Sequence, residues 1–421
     1  MSTEIPSSRE RVLAAINHKE LDRPPIDLGS NPSSGISAIA HNNLIRKLGW
    51  NDEPTLIYDV VQQLAQPGDR LIDFLDVDVL DIGRTFNTEK EDWYPVEMAN
   101  GETGYYPVWF KPKFENGSWN AYHEDGTRIA TMPNGATFFD ETCFPFKDGY
   151  PESRQAMDEA LDEAMDKVLW QKLVHSPWDH ASEPDFWEKL REGAKKLREN
   201  TDKALMVVFG GNLYEWGTFL RRMDNFLMDL YTEQDKVETL VELLLERHMK
   251  GLEKVCNAVG DIVDIIRFGD DLGMDSGPFM GIEVYEKLFH DARKQMCSYV
   301  HENTTMHTFL HSCGSIYQYI PDLIEEGIEI INPVQTNCRD MEPDRLKKEF
   351  GKDITFWGGS MDPREIFSRG TPEEVREETE RRLDIFAPGG GFVVNNIHNI
   401  MPDVPPENIL AFYETAKNYK Y

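Results

Sequence analysis

The chain has 421 residues, 40% hydrophobic and 11% aromatic, which supplies a large core and argues against global disorder. Its 75 acidic against 44 basic residues give a net charge of -31, a field that makes nucleic acid and anionic membrane surfaces poor partners. Five cysteines, an odd number, do not make a disulfide framework, residues 1–11 lack an apolar signal core, and no run approaches the ~20 apolar residues of a membrane span. A cytoplasmic, reducing location is expected, where a Cys beside a His is a ligand or nucleophile before it is half of a disulfide.

In chain order, short apolar runs alternate with longer amphipathic stretches. The runs at 25–28, 77–82, 205–209, 263–268, 306–310, 328–331, 354–357 and 392–394 are predicted strands, and the later ones lack strict alternation, as strands buried on both faces do. Between the first strands, residues 89–146 carry Asn100-Gly101, Asn116-Gly117, Asp125-Gly126 and Asn134-Gly135 among aromatic residues, the signature of hairpins. This is predicted to be a β-rich insertion, a lid over the rest. Residues 152–197 read as acidic helix outside the core. Val237, Leu240, Val241, Leu244, Leu245 and His248 share one helical face, as do Val284, Leu288, Phe289, Ala292 and Met296. Residues 315–326 form a short helix stopped by Gly327, Thr371-Pro372-Glu373-Glu374 opens another, and Pro405-Pro406-Glu407 opens the last. Strand-helix repetition at spacings of roughly 20 to 40 residues predicts an α/β fold, a single (β/α)8 TIM barrel over 1–421 with the insertion at 89–146 within it.

Barrels of this kind place chemistry on loops after the strands. Those positions hold Asp270 and Asp271, His311 and Cys313, Asn332 and Gln335, Gly358 to Ser360, and Asn395, Asn396 and His398. His311-Ser312-Cys313-Gly314 is the most informative: imidazole and sulfur two residues apart on an extended segment face the same side, and that pair is zinc chemistry. A catalytic zinc takes three protein ligands and keeps one open position. His398, ending the last strand beside the first, is the best third ligand, with Asp270, Asp271 and Cys338 as other candidates. Asp270 and Asp271 are the candidate catalytic carboxylates. Tyr214, Glu215, Trp216, Arg221 and Arg222 are candidates to line a pocket, whereas His123, His175 and His180 sit in polar stretches and read as surface residues.

With these residues placed, the chain resembles the uroporphyrinogen decarboxylase superfamily of (β/α)8 barrels. The resemblance runs through the segments starting at Arg9-Glu10-Arg11-Val12 and Asp22-Arg23-Pro24-Pro25, then Gly269-Asp270-Asp271-Leu272-Gly273, His311-Ser312-Cys313-Gly314, Asn332-Pro333-Val334-Gln335 and Pro405-Pro406-Glu407-Asn408. The haem-pathway decarboxylase carries an Arg-rich N-terminal stretch; here Asp27, Gly29, Ser30, Asn31, Ser33 and Ser34 stand in that region, without an arginine pair. The chain looks more like the corrinoid-dependent methyltransferase branch, whose members bind zinc through a His-x-Cys pair and a further Cys near the last strand. His311 and Cys313 match the pair, and His398 stands at the place of the further Cys.

What the resemblance implies is a methyltransferase with zinc on His311, Cys313 and His398, working with a corrinoid (cobalamin) carried by a partner protein. The substrate is then a small methylated molecule, a methoxy-aromatic, methylamine or thiol, oriented by Asp270 or Asp271 and bound by Asn332, Gln335 and Tyr214. Two other readings differ in class: a metal-free decarboxylase in the manner of the parent family, and a non-catalytic module that grips a tetrapyrrole or a corrinoid protein. Barrels of this size often pair, so a homodimer is compatible with the sequence.

Overall fold

The computed structural model describes residues 5–421. Seven parallel strands run in chain order around one curled sheet: β1 Val79–Asp81, β2 Ala204–Gly210, β3 Ile265–Gly269, β4 His307–His311, β5 Ile330–Asn332, β6 Thr355–Trp357 and β7 Phe392–Val393. The predicted first strand closes the ring with few residues. Asp27 N–H donates to Val394 O (2.9 Å), Val394 N–H to Pro25 O (2.8 Å) and Asp78 N–H to Ile26 O (2.8 Å), so this segment bridges β7 to β1. The result is a (β/α)8 barrel. Prolines at 24 and 25 remove two donors, which keeps this stave short.

Period-2 alternation sorts each strand into an interior and a helix-facing set. Val79, Ala204, Met206, Ile265, Phe309, Ile330, Trp357 and Val393 point inwards and form one apolar layer with Val12, Ala15 and Ile16 of the first helix, α1 Ser8–Ile16, which plugs the barrel's closed end. Leu80, Leu205, Val207, Ile266, Phe268, Leu310, Ile331, Phe356 and Phe392 face outwards into the helices. The next interior positions towards the open end are therefore Asp81, Arg267, His311 and Asn332. Below them lies apolar packing, and above them lies the mouth.

The amphipathic runs form helix Gln234–Val259 and the continuous turns Ile282–Tyr285, Glu286–His290 (a π turn) and Asp291–Asn303, with Gly327 (φ 95°) ending Ile320–Glu326 in the left-handed conformation. Thr371 caps Pro372–Phe386 through a reciprocal pair with Glu374. Residues 93–141 hold a hairpin (Trp93–Glu97 with Thr103–Pro107) and a four-stranded antiparallel sheet. Their own apolar cluster includes Phe110, Ile129 and Phe139 and packs on Ile57, Val60 and Val61. No helix of the described residues is long and apolar enough to cross a membrane.

Candidate metal centre at the barrel mouth

His311 ends β4 on the barrel interior, and Cys313 lies two residues on. Gly314 (φ 86°) turns the chain immediately afterwards, and a Cβ there would lie 2.2 Å from the Gly273 carbonyl carbon. Only glycine lets the loops after β3 and β4 touch backbone to backbone. The loops are stitched by Gly273 N–H to Cys313 O (3.2 Å) and Ser315 N–H to Met274 O (3.0 Å). From the far side of the ring, the turn after β7 swings His398 in at φ 62°, with its carbonyl held by Asn396 Nδ2 (2.7 Å).

One ligand atom from each of His311, Cys313 and His398 lies within 4.8 Å of the others. Cys313 Sγ and His311 Nε2 stand 3.4 Å apart, close to the roughly 3.5 Å that separates two donors on a tetrahedral zinc. Asn332 fixes the imidazole tautomer. Its Nδ2 donates to Trp357 O (3.0 Å), which turns Oδ1 towards His311 Nδ1 at 2.7 Å. Nδ1 therefore carries the hydrogen, and Nε2 presents its lone pair to the site. Burial pushes His311 down to about 3, helped by the Arg267 guanidinium, and His398 likewise to about 3, helped by His311. Both rings are neutral at neutral pH, the form a metal takes. Burial, with Asp271 and Glu215 nearby, pushes the Cys313 thiol up; binding a cation there would reverse that balance. The donor set, two neutral imidazoles and one sulfur with a braced tautomer, fits zinc.

The two adjacent carboxylates part company. Asp271 faces the site: its Oδ1 accepts from Cys313 N–H (2.8 Å) and lies 3.4 Å from His311 Nε2. Asp270 faces away from it and is wholly buried. It accepts N–H bonds from Leu213 (3.2 Å), Tyr214 (3.0 Å) and Glu215 (2.8 Å), and Arg293 Nη2 donates to it at 2.8 Å. Of the two candidate catalytic carboxylates, Asp270 has its oxygens occupied in capping helix Tyr214–Arg221 and binding Arg293. Tyr214, expected to bind substrate, lies deeper than the mouth. It is 1% exposed and stacks on Phe279 (5.7 Å between rings), behind the wall of the mouth. Asn332 and Gln335, expected to bind substrate, brace the loop of the candidate ligands, Asn332 through His311 and Gln335 Oε1 by accepting Gly314 N–H. Cys338 lies apart from the three, against Asp275 (3.5 Å).

The mouth holds further groups. Burial raises Asp81 to about 6; its Oδ1 takes Gly83 N–H (2.9 Å). His175, read as surface, instead meets the Tyr58 ring edge-on at 5.6 Å. Burial, then Asp271 and Asp270, holds Glu215 well above the usual carboxylate range, and Asn212 Nδ2 donates to it (2.6 Å). Applying the strand-end rule to the strand at 77–82 would have found Asp81, and an arginine inside an apolar strand was the visible sign of Arg267. A second set, His123, Glu124 and Asp166, lies on the surface, where Lys172 already pairs with Glu124 (2.9 Å) and Asp166 (3.5 Å).

A barrel with this site at its open end belongs to the enzyme-type (β/α)8 class. The family model for uroporphyrinogen decarboxylase (URO-D) matches residues 189–419, more than half of the chain. The protein belongs to that family. It is similar to the uroporphyrinogen decarboxylase of Serratia proteamaculans, 45% identical over 65 residues (15% of this chain, 18% of that one). It is also similar to the methylcobamide:CoM methyltransferase MtbA of Methanosarcina acetivorans, 25% identical over 238 residues (55% of this chain, 64% of that one). The chain thus spans less than two thirds of the length of these curated relatives. A solved methyltransferase from Methanosarcina mazei shares the fold over 98% of both chains, with a TM-score of 0.57 at 14% identity.

Proposed function

We propose that the protein is a methyltransferase that moves a methyl group between a small methylated substrate (methoxy-aromatic, methylamine or thiol) and a corrinoid carried by a separate protein. The observation that carries this reading is the convergence of His311, Cys313 and His398 within 4.8 Å at the open end of the barrel, with the His311 tautomer set by Asn332. Zinc bound there would supply Lewis acidity to the heteroatom that gives up or accepts the methyl group.

The chain's own residues do the rest. Asp271, held by Cys313 N–H, lies beside the ligand atoms and is placed to orient the substrate or take its proton. Glu215, whose carboxyl is held well above the usual range by burial and its carboxylate neighbours, stands on the same wall. The apolar layer beneath His311 seals the site from the closed end, so substrate and corrinoid enter from the loop side. The methyltransferase named among the relatives supports the same class of reaction.

The experiment is a methyl-transfer screen of methoxylated aromatics and methylamines with reduced cobalamin, and of thiols with methylcobalamin, alongside zinc analysis of the purified protein. Stoichiometric zinc, and methylation of the cobalamin by one substrate class or demethylation of methylcobalamin by a thiol, are expected. Metal-free protein that decarboxylates a porphyrinogen, or that binds a corrinoid protein with no turnover, overturns the reading.

A further inference from the structure

Two acids of the mouth wall, Asp271 and Glu215, are each one step from a single carboxylate. Asp270 precedes Asp271 in the chain. Its Oδ1 accepts the Glu215 N–H (2.8 Å), and its Oδ2 accepts those of Leu213 (3.2 Å) and Tyr214 (3.0 Å). The loop that carries Asp271 is held by backbone at two points, Asp270 N–H to His311 O (2.9 Å) and Gly273 N–H to Cys313 O (3.2 Å). Between those points Asp271 Oδ1 accepts Cys313 N–H (2.8 Å) and Leu272 N–H donates to Ser312 Oγ (3.1 Å). The Asp270 carboxylate therefore ties the turn of this span to the position of helix Tyr214–Arg221.

What holds Asp270 comes from the outer helices. Arg293 Nη2 donates to its Oδ2 (2.8 Å), and neither side chain is exposed. Arg293 is gripped in turn. Tyr285 Oη lies 3.4 Å from its Nε, and Glu326 Oε2 lies 3.2 Å from the same nitrogen. Tyr285 Oη donates to Glu326 Oε1 (2.6 Å), which closes a ring of three buried polar side chains. The spacing that builds the ring is not that of a regular helix. Residues eight apart on an α-helix sit roughly 80° apart; the π turn Glu286–His290 adds one residue and returns Tyr285 and Arg293 to one face. Such turns recur at functional sites. Burying a guanidinium and two carboxylates is also a costly way to cap a helix, since one uncharged Ser or Asn would serve.

We infer that Arg293, braced by Tyr285 and Glu326, is a positioning residue for the candidate metal centre: through Asp270 it fixes the face of the β3 loop on which Asp271 meets Cys313 and His311, and the place of Glu215 beside it. Arg293 acts from behind the wall, and the two adjacent aspartates divide the work, one held so that the other is presented. The part of Asp271 in methyl transfer rests on the reading above; its placement against Cys313 does not.

The test is amide hydrogen exchange in the metal-free protein. Arg293→Gln alone strands two buried carboxylates, so it is combined with Glu326→Gln. The expected result is at least about tenfold faster exchange at Leu213 to Glu215 and also at Cys313, whose N–H Asp271 holds. Ser312 N–H, bonded to Asn332 O (2.8 Å), should exchange as in the parent. Faster exchange at 213–215 with Cys313 as protected as before would make Arg293 a helix prop and overturns the inference, as does equal acceleration at Ser312. Arg293→Lys, which keeps the charge without the fork, is expected to recover part of the Cys313 protection. If the double variant does not fold, Tyr285→Phe decides: several-fold faster exchange at Cys313 is expected, and no change overturns it. A second readout is zinc affinity. The double variant should lose several-fold, and the loss should vanish in an Asp271→Asn background, a coupling that independent sites do not show. No loss, or a loss that persists there, overturns the positioning role. Failure of the parent to take up zinc sinks the metal reading instead, and exchange at Cys313 still decides.

Discussion

The two ends of the barrel handle buried polarity in opposite ways. At the closed end the buried charges of the described residues are answered. Asp78, fully buried, receives Arg11, Arg23 and the Ile26 N–H, and Asp264 receives Arg9 (2.8 Å), Arg198 and the Leu205 N–H (2.9 Å). At the open end Arg267 Nε, Tyr58 Oη and the side-chain oxygens of Asn395 and Asn396 are buried without partners. Matched charge ties the first helix and the first stave to the ring. Unmatched polar groups cost folding free energy and are retained where a ligand completes them. The contrast separates residues that hold the barrel from residues that wait for something.

The largest separation is expected between a ligand and a strut. Cys313→Ala and His311→Ala should each lower zinc affinity by about a thousandfold or more, since a zinc site's binding free energy is spread over few ligands. Metal-free unfolding midpoints should move little. Asp78→Ala should do the reverse. It strands two buried guanidinium groups and is expected to cost about 3–5 kcal/mol in urea unfolding, with zinc stoichiometry intact. Zinc loss in Asp78→Ala at temperatures where it is folded would break the contrast.

How far this was readable from the sequence depends on which physical rule governs each residue. Strand ends were legible, because apolar runs of three to six residues bounded by polar ones have few other solutions in a repeating βα chain. His311, Cys313 and His398 follow from that, being the residues that strand ends deliver to the mouth. Asp270 and Asp271 were not separable. Neighbours in an extended segment point to opposite sides, and which side faces the mouth depends on Arg293, 23 residues further on, meeting Asp270. The burial of Tyr214 against Phe279 is a contact no local pattern encodes. Arg267 was visible as a charge inside an apolar run but its surroundings were not, and His175 meets Tyr58, which arrives from a strand distant in sequence.

A smaller effect should appear with pH at the open end. Burial raises Asp81 to about 6, above its ordinary 3.8. Between those values the folded chain holds a proton that the unfolded chain has released, so stability falls as pH rises through that window. Above pH 6 the full cost is present, at most about 3 kcal/mol. Asp81→Asn keeps an acceptor for Gly83 N–H and removes the ionisation. The variant is expected to be more stable than the parent at pH 7.5 and equal to it at pH 4, as read by urea unfolding at both. A constant difference at the two pH values would show that Asp81 is solvated like a surface carboxylate.

The finest test lies between the two ends, at Asn332, a fully buried residue that touches a strand carbonyl on one side and a candidate ligand on the other. Its amide cannot rotate without losing Trp357 O, so Oδ1 stays on His311 Nδ1. Asn332→Ala frees the imidazole to carry its hydrogen on Nε2, where it blocks coordination. Outer-shell partners of this kind are worth about 10–100-fold in metal affinity, which is the loss expected in competition against a chelator. Asn332→Asp restores an acceptor and should recover most of it. Equal zinc affinity in Asn332→Ala and the parent would mean that the ring is oriented by packing alone, and Asn332 would then belong with the struts of the closed end. Recovery by Asp but not by Leu would assign the effect to the hydrogen bond, since Leu fills the volume and accepts nothing.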